Sequence, residues 1–109
     1  LKAQLFAEMA LMPSAGCSDV DKKARDVIAE AGYGEYFTHS LGHGVGIDIH
    51  EMPSLSPRSE KSLQAGNIVT IEPGIYIENF GGVRIEDMAL ITPKGSEIMT
   101  KSTRELIYI

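Results

Sequence analysis

All three histidines of this chain, His39, His43 and His50, lie within twelve residues of one another, in Thr38-His39-Ser40-Leu41-Gly42-His43-Gly44-Val45-Gly46-Ile47-Asp48-Ile49-His50-Glu51. Glycine on both sides of His43 lets the backbone approach a ligand closely and adopt positive φ. His39 and His43 are an even number of residues apart, so in an extended segment they share a face. A single histidine is usually a packing or surface residue, whereas three clustered among glycines point to a site. Glu72 shares one face of a candidate strand with Ile68 and Thr70, and a carboxylate buried there needs a cation or a metal to offset its desolvation. Farther on, Arg84 and Glu86 share a face, with Met88 and Leu90 beyond them. A surface ion pair of Arg84 with Glu86 or Asp87 accounts for these last residues equally well. The mixed imidazole and carboxylate set otherwise suits a divalent ion such as Mn²⁺, Co²⁺ or Zn²⁺.

Other chemistries lack their residues. There is no His-Glu-x-x-His, no cysteine pair for a zinc ribbon, no Walker A sequence and no Gly-x-Ser-x-Gly. The His-x-His pair of a cupin is missing. Gly42-His43-Gly44-Val45-Gly46 lacks the Gly-x-Gly-x-x-Gly spacing and the βαβ setting of a dinucleotide site.

The elements that must position these residues follow from periodicity. Leu1, Leu5 and Met9, with Phe6 beside them, form an apolar stripe that predicts a helix from Leu1 to Met12, ended by Pro13. Ser18 reads as the N-cap of a second helix, with Asp21 three residues on in capping-box style. Val20, Ala24, Val27, Ile28 and Ala31 continue that helix until Gly32 stops it. Gly42, Gly44 and Gly46 exclude a helix through the histidine stretch. Gly66-Asn67 is a turn before a strand at Ile68 to Glu72, Pro73-Gly74 interrupts, and Ile75 to Glu78 resumes. Asn79-Phe80-Gly81-Gly82 reads as a hairpin connection into a strand from Val83 to about Thr92. Pro93-Lys94-Gly95 is a turn, and Glu105 to Ile109 reads as a last strand. Two helices followed by a mainly antiparallel sheet make the fold class α+β.

At 109 residues the chain fits one domain. Its formal net charge of −5 argues against nucleic acid, which needs a clustered positive surface. Lys22-Lys23-Ala24-Arg25, the densest basic run, reads as a solvated helix face. No apolar run reaches the roughly 18 residues that span a bilayer, so no membrane partner is expected. The single Cys17 has no internal partner, which suggests a reducing, cytoplasmic setting. A start at Leu1 inside a helix, without Met, suggests a piece of a longer protein.

Four motifs, in order and with matching spacing, resemble the "pita-bread" (creatinase/aminopeptidase-like) metallopeptidases. They are Gly42-His43-Gly44-Val45-Gly46, His50-Glu51-Met52-Pro53, Thr70-Ile71-Glu72-Pro73-Gly74-Ile75-Tyr76 and Gly82-Val83-Arg84-Ile85-Glu86-Asp87. The likeness extends back through Val20-Asp21 and Ala24-Arg25-Asp26-Val27-Ile28. Glu-Pro-Gly-Ile-Tyr and Gly-Val-Arg-Ile-Glu-Asp are closer to the Xaa-Pro aminopeptidase and prolidase branch than to the methionine aminopeptidases.

The resemblance implies that residues 1–109 are the C-terminal portion of a catalytic domain, with a curved sheet and the upstream portion absent. It implies His43, Glu72 and Glu86 as metal ligands, Glu86 bridging two ions in the complete enzyme. His39 and His50 match histidines that contact substrate, and Arg84 matches an arginine beside the metals. The family's two aspartate ligands have no counterpart among Asp19, Asp21, Asp26, Asp48 and Asp87. The expectation is therefore hydrolysis of Xaa-Pro peptides or dipeptides by the full-length protein, and no activity for the piece alone. A non-catalytic interaction module and a creatinase-like C–N hydrolase are the alternatives. A half-sheet exposes an edge and a face, from which a homodimer is also expected.

Overall fold

The computed structural model describes all residues from Leu1 to Ile109. Helix α1 spans Lys2–Glu8 and α2 spans Cys17–Glu30, followed by a single 3-10 turn at Gly34–Tyr36. Seven strands follow: β1 Gly42–Gly44, β2 Glu51–Leu55, β3 Ile68–Ile71, β4 Gly74–Ile77, β5 Gly81–Arg84, β6 Asp87–Thr92 and β7 Gly95–Ile98. Five of them form an antiparallel sheet in the order β2-β1-β3-β6-β7, while β4 and β5 pair as a separate hairpin. The α+β expectation holds.

The helices cover one face of the larger sheet. Val20, Ala24 and Ile28 of α2 and Ala3 and Ala7 of α1 join Val69, Ile71, Ala89 and Ile91 in one buried cluster. Along β3, alternation sends Val69 and Ile71 into that core and turns Thr70, and Glu72 just beyond it, the other way. The face opposite the helices is thus where the sheet presents polar side chains. Pro53 lies in β2, an edge strand, where its missing N–H leaves no ladder bond unmade. Between His43 and Gly44 the β1–β2 register shifts in a bulge, so Gly42 faces Leu55 and His43 faces Ser54, but Gly44 faces Glu51.

Several sequence expectations are corrected. Helix α1 stops at Glu8, and Leu1, Leu5, Phe6 and Met9 lie on its exposed side. Ala3, Gln4 and Ala7 are buried instead, small side chains letting α1 lie close to α2 and β3, with the Gln4 amide donating to the Ile71 carbonyl at 3.4 Å. Ser18 does not cap α2: the helix starts one residue earlier, at Cys17, so Ser18 lies inside it and the N-cap is Gly16, which has no side chain to bond there. The single strand expected over 83–92 is two strands of different sheets, broken at Ile85-Glu86. Residues 105–109 form no strand, since that segment finds no ladder partner. The short strands β2 and β7 were not foreseen.

Candidate functional site

An open cleft of about 670 Å³ lies over the polar face of the sheet, lined among others by His39, His43, His50, Glu72 and Arg84. Five of the six residues singled out by type and spacing therefore converge there, and the sixth, Glu86, borders it through Arg84.

His43 sits in the middle of β1, its backbone N–H donating to the Thr70 hydroxyl oxygen at 3.0 Å. That hydroxyl in turn donates to Glu72 Oε1 at 2.9 Å, so one threonine fixes both a histidine and a carboxylate. The Glu72 backbone N–H donates to the Leu41 carbonyl at 2.8 Å, which ties the end of β3 to the loop before β1. His43 Nδ1 lies 2.9 Å from the Gly44 carbonyl, a contact that requires the proton on Nδ1. In the neutral ring Nε2 then carries the lone pair, and it faces Glu72 Oε1 at 3.1 Å. Two lone pairs so placed repel unless a proton or a cation lies between them, and a histidine whose Nδ1–H is held by a carbonyl is oriented as a metal ligand is.

Arg84, at the end of β5, places Nε 3.9 Å from Glu72 Oε2 and 3.8 Å from Glu86 Oε2. Tyr76 first, and then the Glu72 and Glu86 carboxylates, hold its guanidinium protonated above the usual range. His39 Nδ1 lies 2.8 Å from the Ser40 carbonyl, and its Nε2 is 2.9 Å from the Tyr76 hydroxyl, which donates to it. His50 is exposed, and its ring packs on that of His43 with centroids 4.2 Å apart.

The donor chemistry fits a divalent ion: one imidazole and two carboxylates, with His43 and Glu72 already facing each other. The number of donors is short, because Arg84 stands between Glu72 and Glu86 and no three donors of this chain form a cluster. Sequence reasoning missed Tyr76, Thr70, Asp21 and Arg25 as site residues. Tyr76 and Thr70 lay inside a motif already noted, and Asp21 with Arg25 shows the acid-before-base i,i+4 spacing of a helix pair.

An antiparallel sheet backed by helices and gathering nitrogen and carboxylate donors on its open face is architecture that metal-dependent hydrolases use. The chain belongs to metallopeptidase family M24, whose model matches residues 1–93. The Xaa-Pro dipeptidase of Pyrococcus horikoshii is 54% identical over 107 residues, covering 98% of this chain and 30% of that protein. A solved Xaa-Pro dipeptidase from Bacillus anthracis superposes with a TM-score of 0.95 at 50% identity, over 97% of this chain and 30% of that one. The X-Pro aminopeptidase of Thermotoga maritima gives a TM-score of 0.91 at 41% identity, over 94% of this chain and 29% of that one. The fold expected from the motifs is the fold of these structures. This chain spans about 30% of the length of the curated relatives it matches. No helix of the chain is long and apolar enough to cross a membrane.

Proposed function

We propose that this chain supplies part of the active site of an Xaa-Pro metallopeptidase, and that the full-length protein hydrolyses the bond before proline in peptides or dipeptides. The observation that carries the reading is the approach of His43 Nε2 to Glu72 Oε1 at 3.1 Å with the His43 proton committed to the other nitrogen. His43, Glu72 and Glu86 would hold the metal, with donors from outside residues 1–109 completing a pair of sites for Mn²⁺, Co²⁺ or Zn²⁺. The chemistry such ions supply is Lewis-acid activation of water near neutral pH.

The chain's own residues do the rest. Glu72 takes the proton of the attacking water and returns it to the leaving proline nitrogen, as base and then acid. His50 is the better placed of the two histidines to donate to the developing oxyanion, because His39 Nε2 is already occupied as an acceptor from Tyr76. Such a contact is worth about 3–4 kcal/mol in hydrolases. Arg84 holds the Glu72 and Glu86 carboxylates toward a common point. The setting proposed is cytoplasmic, in keeping with the free, buried Cys17, and the exposed apolar side chains of α1 are compatible with a homodimer.

The test is metal content by mass spectrometry after incubation with Mn²⁺ and desalting, together with hydrolysis of Xaa-Pro dipeptides. Residues 1–109 alone should hold less than one ion per chain and show no turnover, whereas the full-length protein should bind two and cleave. Two ions and turnover in the short chain would overturn the ligand assignment. Turnover of creatine, or binding without any hydrolysis by the full-length protein, would overturn the proposed reaction.

A further inference from the structure

The loop from Phe37 to Leu41 carries His39 and leads into β1, yet it belongs to no ladder. Its backbone groups are satisfied largely by one ion pair on the far side, in helix α2. Arg25 meets Asp21 in a fork, Nε to Oδ2 at 2.8 Å and Nη2 to Oδ1 at 2.9 Å. The same guanidinium donates to the Phe37 carbonyl at 3.0 Å and to the His39 carbonyl at 2.9 Å. It also lies over the Phe37 ring, 4.2 Å from the centroid, and that ring meets the His39 imidazole edge-on with centroids 5.2 Å apart. Asp21, only 1% exposed, accepts the Leu41 N–H at 3.0 Å with its Oδ1. The Leu41 carbonyl then receives the Glu72 N–H at 2.8 Å.

We propose that Asp21 and Arg25 are positioning residues of the active site, aiming the His39 ring and anchoring the start of Glu72 through the Phe37–Leu41 backbone. The inference rests on the proposed function: His39 lines the cleft, where the family resemblance matches it to a histidine that contacts substrate. Three backbone groups, on both sides of His39, are held by two side chains whose own geometry is fixed by a bidentate pair. Rotation of the loop about His39 would have to break several of these bonds at once. A lysine at position 25 would give one point donor where the planar fork reaches four acceptor atoms, so Arg25→Lys should not restore the arrangement. The acid-before-base spacing on α2 thus serves the loop as well as the helix.

The experiment uses the metal-loaded full-length protein with ¹⁵N-labelled histidine, the His39 ring signals being assigned with His39→Gln. In the parent, His39 should show the Nδ1–H tautomer required by its contact with the Ser40 carbonyl. Arg25→Met should move the His39 ring signals while leaving those of His50 in place, and should lower kcat/KM by about 10- to 100-fold, the usual effect of losing a residue that orients a site. In a His39→Ala background the same substitution should lower kcat/KM clearly less than in the parent, since residues acting through one another are not additive, and the remainder is what reaches Glu72 through Leu41. Arg25→Lys should resemble Arg25→Met in both readouts, and it carries the test if Arg25→Met fails to fold. Unmoved His39 signals, or full additivity with His39→Ala, would overturn the proposal and leave the pair a support of the helix alone. If His39→Ala leaves Xaa-Pro turnover intact, the role given to His39 is wrong, and the ring signals still decide whether the pair aims it.

Discussion

Gly42 stands where β1 runs closest to the Thr70 backbone of its antiparallel neighbour β3, and its replacement by alanine should disturb the fold and the site together. An added Cβ would overlap the Thr70 carbonyl oxygen and lie 2.7 Å from the Thr70 carbonyl carbon and 2.9 Å from its Oγ1. Carbon atoms rest about 3.5 Å apart or more, so the Thr70 carbonyl carbon alone demands a separation of about 0.8 Å and its oxygen demands more, and backbone cannot swing aside as a side-chain tip can. That movement stretches two bonds centred on the site, His43 N–H to Thr70 Oγ1, now 3.0 Å, and Glu72 N–H to the Leu41 carbonyl, now 2.8 Å. Overpacking costs about 1–3 kcal/mol and each weakened bond about 1 kcal/mol, for a total of about 3–5 kcal/mol. At about 4 °C or more per kcal/mol for a chain of this size, Tm should fall by at least about 12 °C. Gly46→Ala is the control: its Cβ would meet the carboxylate at the far end of the Glu51 side chain, which can rotate away and loses only its bond from the Asp48 N–H. That change should cost about 1 kcal/mol. Thermal melts followed by circular dichroism measure both. A Gly42→Ala variant that melts within about 3 °C of the parent, or no lower than Gly46→Ala, would refute the close approach of β1 to β3 as the reason for glycine there.

Arg104 gathers two carboxylates, with Nη1 at 2.8 and 3.0 Å from the Glu8 oxygens and 3.1 Å from Asp87 Oδ2. Asp87 Oδ2 is buried and lies off the direction of a hydrogen bond, so charge alone holds it. Arg104→Met should therefore cost about 3 kcal/mol by urea unfolding, the lower end for stripping a cation from a buried pair, and a loss under 1 kcal/mol would contradict this account. Burial first, and the neighbouring Asp87 more weakly, push the Glu8 carboxyl above its usual 4.5, Arg104 pulling the other way without cancelling the rise. Folded Glu8 then holds its proton to higher pH than unfolded Glu8, so its contribution is full below about pH 4.5 and is lost as pH rises through the folded value. Glu8→Gln should flatten that fall in a series of urea midpoints between pH 4.5 and 7, and parallel profiles for the two proteins would refute it. Cys17 is fully buried and its thiol is pushed up by that burial, so dithionitrobenzoate should modify it only as fast as the chain unfolds. Rapid labelling in native buffer would show the residue to be accessible.

The site was legible in the sequence to the extent that chemistry restricts residue type. A carboxylate on the Thr70 side of β3 points to a cation nearby, and Arg84 lies 3.9 Å from it, while glycines beside His43 mark a backbone that must run close to its neighbours. What escaped was set by partners distant in sequence. Periodicity located an apolar stripe on α1 but could not say which face the fold covers: the buried side is built from Ala3, Gln4 and Ala7, residues that score weakly as hydrophobic yet permit close helix contact. Asp21 has the spacing of a cap, and only the arrival of Leu41 and Arg25 at its carboxylate shows that tertiary contacts claim it first. The run from Val83 to Thr92 contains no glycine or proline to announce a break. It divides because β5 pairs with β4 whereas β6 pairs with β3, and the two residues between them, Ile85 and Glu86, make the change of sheet. Glu86 therefore stands at a junction rather than in the middle of a strand, between Arg84, which its carboxylate approaches, and Asp87, which Arg104 holds. Its position is thus set from both sheets at once, by the end of β5 through Arg84 and by the start of β6 through Asp87, a dependence that no local sequence pattern could announce.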